Sequence, residues 1–513
     1  MSGRRVLDAV ALVCAAGALV VIATGGVKPV TRPEDFVVAT ALVVGLRALI
    51  APFTPPRVNA SRAVATGVAV YVTLMGFIVI TRHLALRTHA FDLGQYLQII
   101  WNISRGHGPA STLVPTYVVP DRMNAWGDHF SPIFYALAPL QWVAPGPLSV
   151  LLAQTVVLAA GAVSVFAFAR GRIGEGPAAA FALLYLVNPS LHGINVRDIH
   201  PAAFAIPLIV TAAWAFDRRR YACCTLALVA TFACREDAAV AVVGFAVWLA
   251  LARRRWAVGS ALAAVAGVVL AVDIGWLMPR FLGTQHYDHL ARYQHLGGSL
   301  GEVLISIAFR PWRWIGIVLT PTKLVYLGAM LAPLGFLPLL GAPALFGVVP
   351  GLAMNLLSVD PKLITYQTQY QAFVLPFLIL AAVDGYARLV KYLGERRVFN
   401  RHRAASAIGL AFVLAAILTA RIVNDLGVNF WRLTPNQHSA YKMMALIPPD
   451  APVAAYERLV PHLATRRDVW VPLRGLNEAE YVLVRTMDRI ALPADRFELV
   501  AQDAVLILWR RRR

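Results

Sequence analysis

Apolar runs long enough to cross a lipid bilayer recur along this chain, and short clusters of arginine separate them. A crossing of the hydrocarbon core needs roughly 20 apolar residues. Runs suited to it cover residues 6–24, 36–53, 63–81, 148–168, 201–216, 256–277, 371–389 and 405–423. Between them stand Arg170 and Arg172, then Arg218, Arg219 and Arg220, then Arg253, Arg254 and Arg255. Such clusters mark cytoplasmic loops. Only 14% of the 513 residues are charged, against about a quarter in soluble domains. The net charge of +20 sits in these loop clusters and forms no basic stripe on a soluble module, which argues against nucleic acid as a partner. The partner the chain requires is a lipid bilayer.

The remaining apolar segments are shorter. Residues 133–143 follow Pro132 and contain Pro139, which suits an interfacial or re-entrant helix. Residues 177–188 go outward and stop at Pro189, leaving residues 191–200 as an external loop. Residues 221–252 form a helical hairpin with Arg235, Glu236 and Asp237 at its tip. Further spans are expected at 324–340 and 344–357. The fold class is therefore an all-α polytopic membrane protein of about 13 spans, with a cytoplasmic N-terminus. Residues 1–423 make up the membrane domain, with a large external loop at 82–132. Residues 424–513 read as a small extramembrane α/β domain. It has strand-like runs at 453–459, 481–486 and 505–509, ahead of a basic tail at 510–513. Cys14, Cys223, Cys224 and Cys234 all lie in apolar runs without metal-ligand spacing.

This topology collects the polar motifs on the face opposite the arginine clusters. Asp92 lies in FDLG, Asp128 and His129 in GDHFSP, and Asp198 and His200 in RDIHP, with the 235–237 triplet nearby. His107 and Asp121 share the first loop, and His286, Asp288, His289, Tyr293 and His295 fall in a polar stretch at 279–313. Ionisable groups at membrane depth are costly, so their gathering on one side points to a site. Each also has a plain structural reading. Asp92 suits the cap of a helix at 93–102, Asp198 and His200 a cap and turn, and the triplet a self-satisfied ion pair. His129 suits an interfacial histidine bonded to backbone, and the 285–295 stretch a solvated loop. Taken as a site, the residues offer a recognisable chemistry. Asp92 at its centre can accept a proton from a hydroxyl acceptor, and Arg197 and Arg235 can hold a phosphate as bidentate donors. Carboxylates beside histidine suit a divalent metal such as Mg²⁺ or Mn²⁺.

The motifs FDLGQYLQIIWNISRG, HFSPIFYALAPL, NVRDIHPAAFAIPL, CREDAAV and TYQTQYQAFVLPFL resemble a bacterial family of predicted polytopic membrane proteins, domain of unknown function 2079. That family is grouped with the GT-C glycosyltransferases. The resemblance extends over most of the chain from His89 to Arg485. It implies an inner-membrane enzyme that takes a sugar from a polyprenyl-phosphate carrier and passes it to an envelope glycan, lipid or protein acceptor outside the membrane. By this resemblance Asp92 is the catalytic carboxylate of the first external loop. His129, His200 and Tyr370 join Arg197 and Arg235 in binding the donor phosphate, while Asp198, Glu236 and Asp237 hold the metal. The chain departs from the family pattern twice. Leu93 and Gly94 follow Asp92 where many GT-C enzymes have a second acidic residue, and Gln369 stands where related sequences have histidine.

Two other classes remain open at this level: a transporter or flippase for a lipid-linked precursor, and a non-catalytic scaffold acting through its C-terminal domain. A transporter is expected to place polar residues at the bilayer midplane within repeated halves. Here the acidic motifs sit at the ends of spans.

Overall fold

The computed structural model describes residues 3–26, 30–50, 58–114, 124–282, 287–395, 401–490 and 492–512. Asp121 and His286 lie outside them. The chain is mostly helical and carries a small C-terminal sheet. Helices α1 (Gly3–Thr24) and α2 (Pro33–Ile50) pack against each other. Helix α3 (Ala60–Leu84) begins where the Asn59 side chain accepts the Arg62 amide at 3.0 Å. Leu12, Val13 and Leu49 are 71%, 71% and 83% exposed. Bare apolar side chains on long helices are what a lipid-covered surface requires.

Among the described residues, six helices are long and apolar enough to cross a membrane, where the sequence led us to expect about 13 spans. Part of the difference comes from breaks that run length does not register. The expected span at 324–340 is a helix over Pro321–Leu331, after which Gly335 and Phe336 take positive φ of 60° and 55°. Pro333 and Pro338 supply no backbone donor there, so an α-helix cannot continue. The 344–357 segment opens as a 3₁₀ turn and is α-helical only over Val349–Leu356. The hairpin consists of Tyr221–Phe232 and Ala239–Ala252, 12 and 14 residues, or about 18 and 21 Å. Each falls short of a hydrocarbon core of about 30 Å. The outward helix ends at Leu186, ahead of Pro189, and Pro189 itself starts the next one. Asn188 caps Pro189–Val196 by accepting the Ser190 amide at 2.9 Å, and proline suits a first helical position.

The long helix Pro147–Ile173 links the two ends of the bundle. Near its start Gln154 bonds the backbone of Asp198 and His200. Eighteen residues on, about 27 Å away along the axis, Arg172 meets a charge network. Arg253 bonds Asp217 at 2.7 Å, and Asp384 lies 3.4 Å from Arg172 and 3.8 Å from Arg253. Arg172 also pairs with Asp217.

The C-terminal sheet runs β2-β1-β3-β5-β4, with β1 (Val453–Ala455) parallel to β2 (Val469–Trp470) and β3 (Tyr481–Arg485). Strands β4 (Phe497–Gln502) and β5 (Leu506–Arg511) close it antiparallel. Of the expected basic tail, Arg510 and Arg511 belong to β5. Arg511 donates to the carbonyls of Leu476, Asn477 and Ala479, and Arg510 bonds Glu498 at 2.9 Å. Guanidinium groups with partners like these are neither loose nor unsatisfied. The sheet does not stand apart. Gln98 of α4 (Gln95–Ser104) donates to the Arg467 carbonyl at 2.7 Å, and Thr112 accepts the Val469 amide at 3.1 Å. Tyr441 and Gln437 donate to Leu84 and Ala85 at the end of α3. Buried residues of the sheet and of the helices share one hydrophobic core.

Candidate functional site

Where the end of α3 and the turn after it meet residues 192–200, 362–370 and 419–430, the structure forms an open cavity of about 820 Å³. Asp92 lines it from a π-helical turn, Ala90–Gly94, inserted directly before α4. Such turns are rare and re-aim side chains. The helix begins at Gln95 with Gly94 at its cap, so Asp92 is not a helix cap. Its half-buried carboxylate accepts no hydrogen bond from the described residues, which leaves it free for a ligand.

Five cationic side chains share that wall: Arg82, Arg87, Arg197, Lys362 and Arg421, against the carboxylates of Asp92, Asp198 and Asp425. The surplus is two positive charges. Arg82 is tied to Asp425 at 2.9 Å, and Arg87 lies 3.8 Å over the Phe430 ring. Burial lowers the Arg197 pKa, and the like charges of Arg82 and Arg421 press in the same direction, offset in part by Asp92. Crowded cations of this kind are relieved by an anion.

Asp198 and His200 also line the cavity. Asp198 sits at φ 68°, a left-handed conformation that costs a non-glycine residue about 1–2 kcal/mol. Its carbonyl accepts from Gln154 at 2.9 Å, and the same glutamine accepts the His200 amide at 2.8 Å. The Asp198 carboxylate turns to His89, accepting its amide at 2.9 Å. Burial lowers the pKa of His200 and keeps it neutral, its ring edge-on to Tyr96 at 6.4 Å. Tyr370 and Gln369 complete this wall, and Arg292 reaches the Tyr370 hydroxyl at 3.4 Å.

A second polar group lies beyond Tyr96, which feels the charges of both Asp92 and Asp128. Glu236 is buried there and accepts from His129 Nδ1 at 2.8 Å, Tyr287 Oη at 2.9 Å and the Phe130 amide at 3.1 Å. Burial alone would lower the His129 pKa, but Glu236 and Asp128 outweigh it and raise it. The His129 charge in turn holds Glu236 below the usual carboxylate range despite its burial. His129 stacks on His289 with centroids 4.4 Å apart. Ligand atoms of Asp128, His129 and His289 all lie within 4.8 Å of one another. Two imidazoles and one carboxylate fit a divalent transition metal such as Mn²⁺ better than Mg²⁺, which prefers all-oxygen shells.

Asp92, Arg197, Asp198, His200 and Tyr370 therefore meet in one cavity, while His129, Arg235, Glu236 and Asp237 do not line it. Among the described residues, Asp198, Glu236 and Asp237 form no metal group. Asp198 is engaged by His89 and Glu236 by His129. Asp237 is clamped by Arg235 at 2.6 and 2.5 Å. That clamp is the self-satisfied ion pair among the readings of the triplet, and it also takes the Arg235 guanidinium away from the cavity.

A family model described as Predicted membrane protein (DUF2079) matches residues 82–505. The chain belongs to this family. A search of curated proteins finds no match. Among solved structures, the family member is similar to ArnT from Cupriavidus metallidurans bound to undecaprenyl phosphate, at 14% identity and a TM-score of 0.48. That match covers 87% of this chain and 98% of the other. ArnT in the apo state gives 15% identity and 0.49, with the same coverage. AglB from Archaeoglobus fulgidus, in complex with an inhibitory peptide and a dolichol-phosphate, gives 12% and 0.42, covering 82% and 69%.

Sequence reasoning missed His89, Arg82, Arg87, Arg421 and Lys362 as site residues of this family member. A signal for two of them was present. Arg82 and Arg421 stand at the ends of spans expected to be external, against the positive-inside bias. Charges placed against that bias are candidates for a ligand-binding role.

Proposed function

We propose that this protein is an integral membrane glycosyltransferase that moves a sugar from a polyprenyl-phosphate carrier to an envelope acceptor. One observation carries the reading: a free carboxylate, Asp92, faces a cavity whose wall holds five cations and a surplus of two positive charges. The cations suit the phosphate of the carrier, on which negative charge grows as the sugar leaves. Asp92 takes the proton from the acceptor hydroxyl. In this reading Arg197, His200 and Tyr370 contact the donor. Asp128, His129 and His289 would hold a divalent metal, which supplies further charge stabilisation when bound.

The cavity end faces outward from a bacterial inner membrane, and the C-terminal unit at 424–513 lies on the same side. The network of Arg172 and Arg253 at the far end of the bundle supports that orientation through the positive-inside bias. The test is turnover by purified protein in lipid with a panel of polyprenyl-phosphate sugars, following free carrier phosphate by mass spectrometry. Wild type should release it and Asp92→Asn should not. Equal release from both would remove Asp92 from the chemistry.

A further inference from the structure

Resting on that reading of the cavity, we infer that His89, as an imidazolium, donates its Nε2–H to the phosphate oxygen that departs from the sugar, and that Asp198 holds the ring for this role. Neither residue has the geometry of an ordinary loop contact. One oxygen of Asp198 accepts the backbone amide of His89 at 2.9 Å and also lies 3.6 Å from the ring Nδ1. The carboxylate therefore addresses both the backbone and the ring of a residue 109 positions away.

Asp198 is fixed and His89 is presented. The Asp198 side chain is 4% exposed, while that of His89 is 41% exposed on the cavity wall. Asp198 keeps its left-handed backbone because Gln154, fully buried, holds both its carbonyl and the His200 amide that follows. Strained residues held this firmly cluster at functional sites. With Nδ1 turned to the carboxylate, Nε2 has no hydrogen-bond partner among the described residues. A buried anion behind an imidazole favours its protonated form, in which both nitrogens donate. The His89 pKa is raised, chiefly by its Asp198 bond.

The step balances as follows. The acceptor oxygen bonds the anomeric carbon and gives its proton to Asp92. The bond from that carbon to the phosphate oxygen breaks, and its electron pair stays on the phosphate, turning a monoanionic diester into a dianionic monoester. His89 keeps its proton and strengthens its hydrogen bond to that oxygen. The five fixed cations stabilise the phosphate before and after. His89 adds a short, directed donor beside Asp92, three residues along the same turn.

The experiment uses the full chain in detergent and compares binding of farnesyl phosphate with that of farnesol by calorimetry. Wild type should bind the phosphate much more tightly than the alcohol. His89→Ala should weaken farnesyl phosphate at least tenfold and leave farnesol unchanged, a split that a merely structural role would not produce. His89→Gln, which keeps an N–H donor, should recover part of the loss and serves as the comparison if the alanine variant folds poorly. Asp198→Asn should weaken the phosphate only while His89 is present, so the double variant should show no further loss. Wild-type affinity in both His89 variants, with the preference for phosphate intact, would overturn the inference and leave the proposed function standing. A wild type that does not distinguish phosphate from alcohol would overturn both.

Discussion

Glu236 Oε1 meets His129 Nδ1 at 2.8 Å, joining the first polar loop to the hairpin tip across 107 residues. The same carboxylate accepts from Tyr287 and Phe130, so its loss strands several buried donors. Glu236→Ala should cost roughly 3–5 kcal/mol, and Glu236→Gln less, because the amide oxygen still accepts. Thermal unfolding in detergent reads this directly. An unchanged midpoint in the alanine variant would show that the pair contributes nothing.

Asp128, His129 and His289 converge closely enough to share one ion. Wild-type protein stripped with a chelator should rebind Mn²⁺ in an electron paramagnetic resonance titration. His289→Ala should weaken that binding about tenfold or more, since removing even an outer-shell partner costs 10–100-fold. Equal binding by wild type and variant would place the ion elsewhere.

Asp92 lines the cavity without a hydrogen-bond partner among the described residues. Asp92→Asn should therefore reduce turnover by about 10²–10⁴, the usual worth of a general base. Its unfolding midpoint should move little, because no partner is stranded. A stability loss matching the activity loss would make Asp92 structural.

His462 of the C-terminal unit stacks on His83 with centroids 3.8 Å apart, and Tyr441 packs edge-on at 5.4 Å. Burial pushes the His462 pKa from 6.5 down to about 4. The folded value is the lower one, so its contribution is complete above pH 6.5 and is lost as pH falls towards 4. The loss should reach roughly 3 kcal/mol. Hydrogen exchange in the sheet should quicken over that window in wild type and change less in His462→Phe.

Asp217 stands between Arg172 and Arg253 at the other end of the bundle. Asp217→Ala leaves two partly buried guanidinium groups with Asp384 alone. It should cost about 3 kcal/mol, near the low end for breaking a buried pair, while leaving farnesyl phosphate affinity unchanged. A fall in affinity without a fall in stability would tie the two ends together functionally.

Much of the site was legible in the motifs themselves. FDLG and RDIHP carry Asp92, Arg197, Asp198 and His200, and the cavity holds all four. The hairpin triplet looked equally promising in one dimension. Its Arg235 and Asp237 neutralise each other locally, while the Glu236 carboxylate is spent on His129 of another element. Lys362 and Asp425 lie hundreds of residues from Asp92 and carry no motif, so no local pattern could assign them to its cavity.

Run length and composition determined that this chain is a helical membrane protein, because a backbone in hydrocarbon must satisfy its own hydrogen bonds. They did not determine how many runs are continuous helices, since Pro333, Gly335 and Pro338 act through backbone geometry. Tertiary structure alone decided which carboxylates stay free and which are spent on partners. Charges pair with whatever packing brings within about 3–4 Å. For Asp198 and Glu236 those partners, His89 and His129, come from a loop more than a hundred residues away.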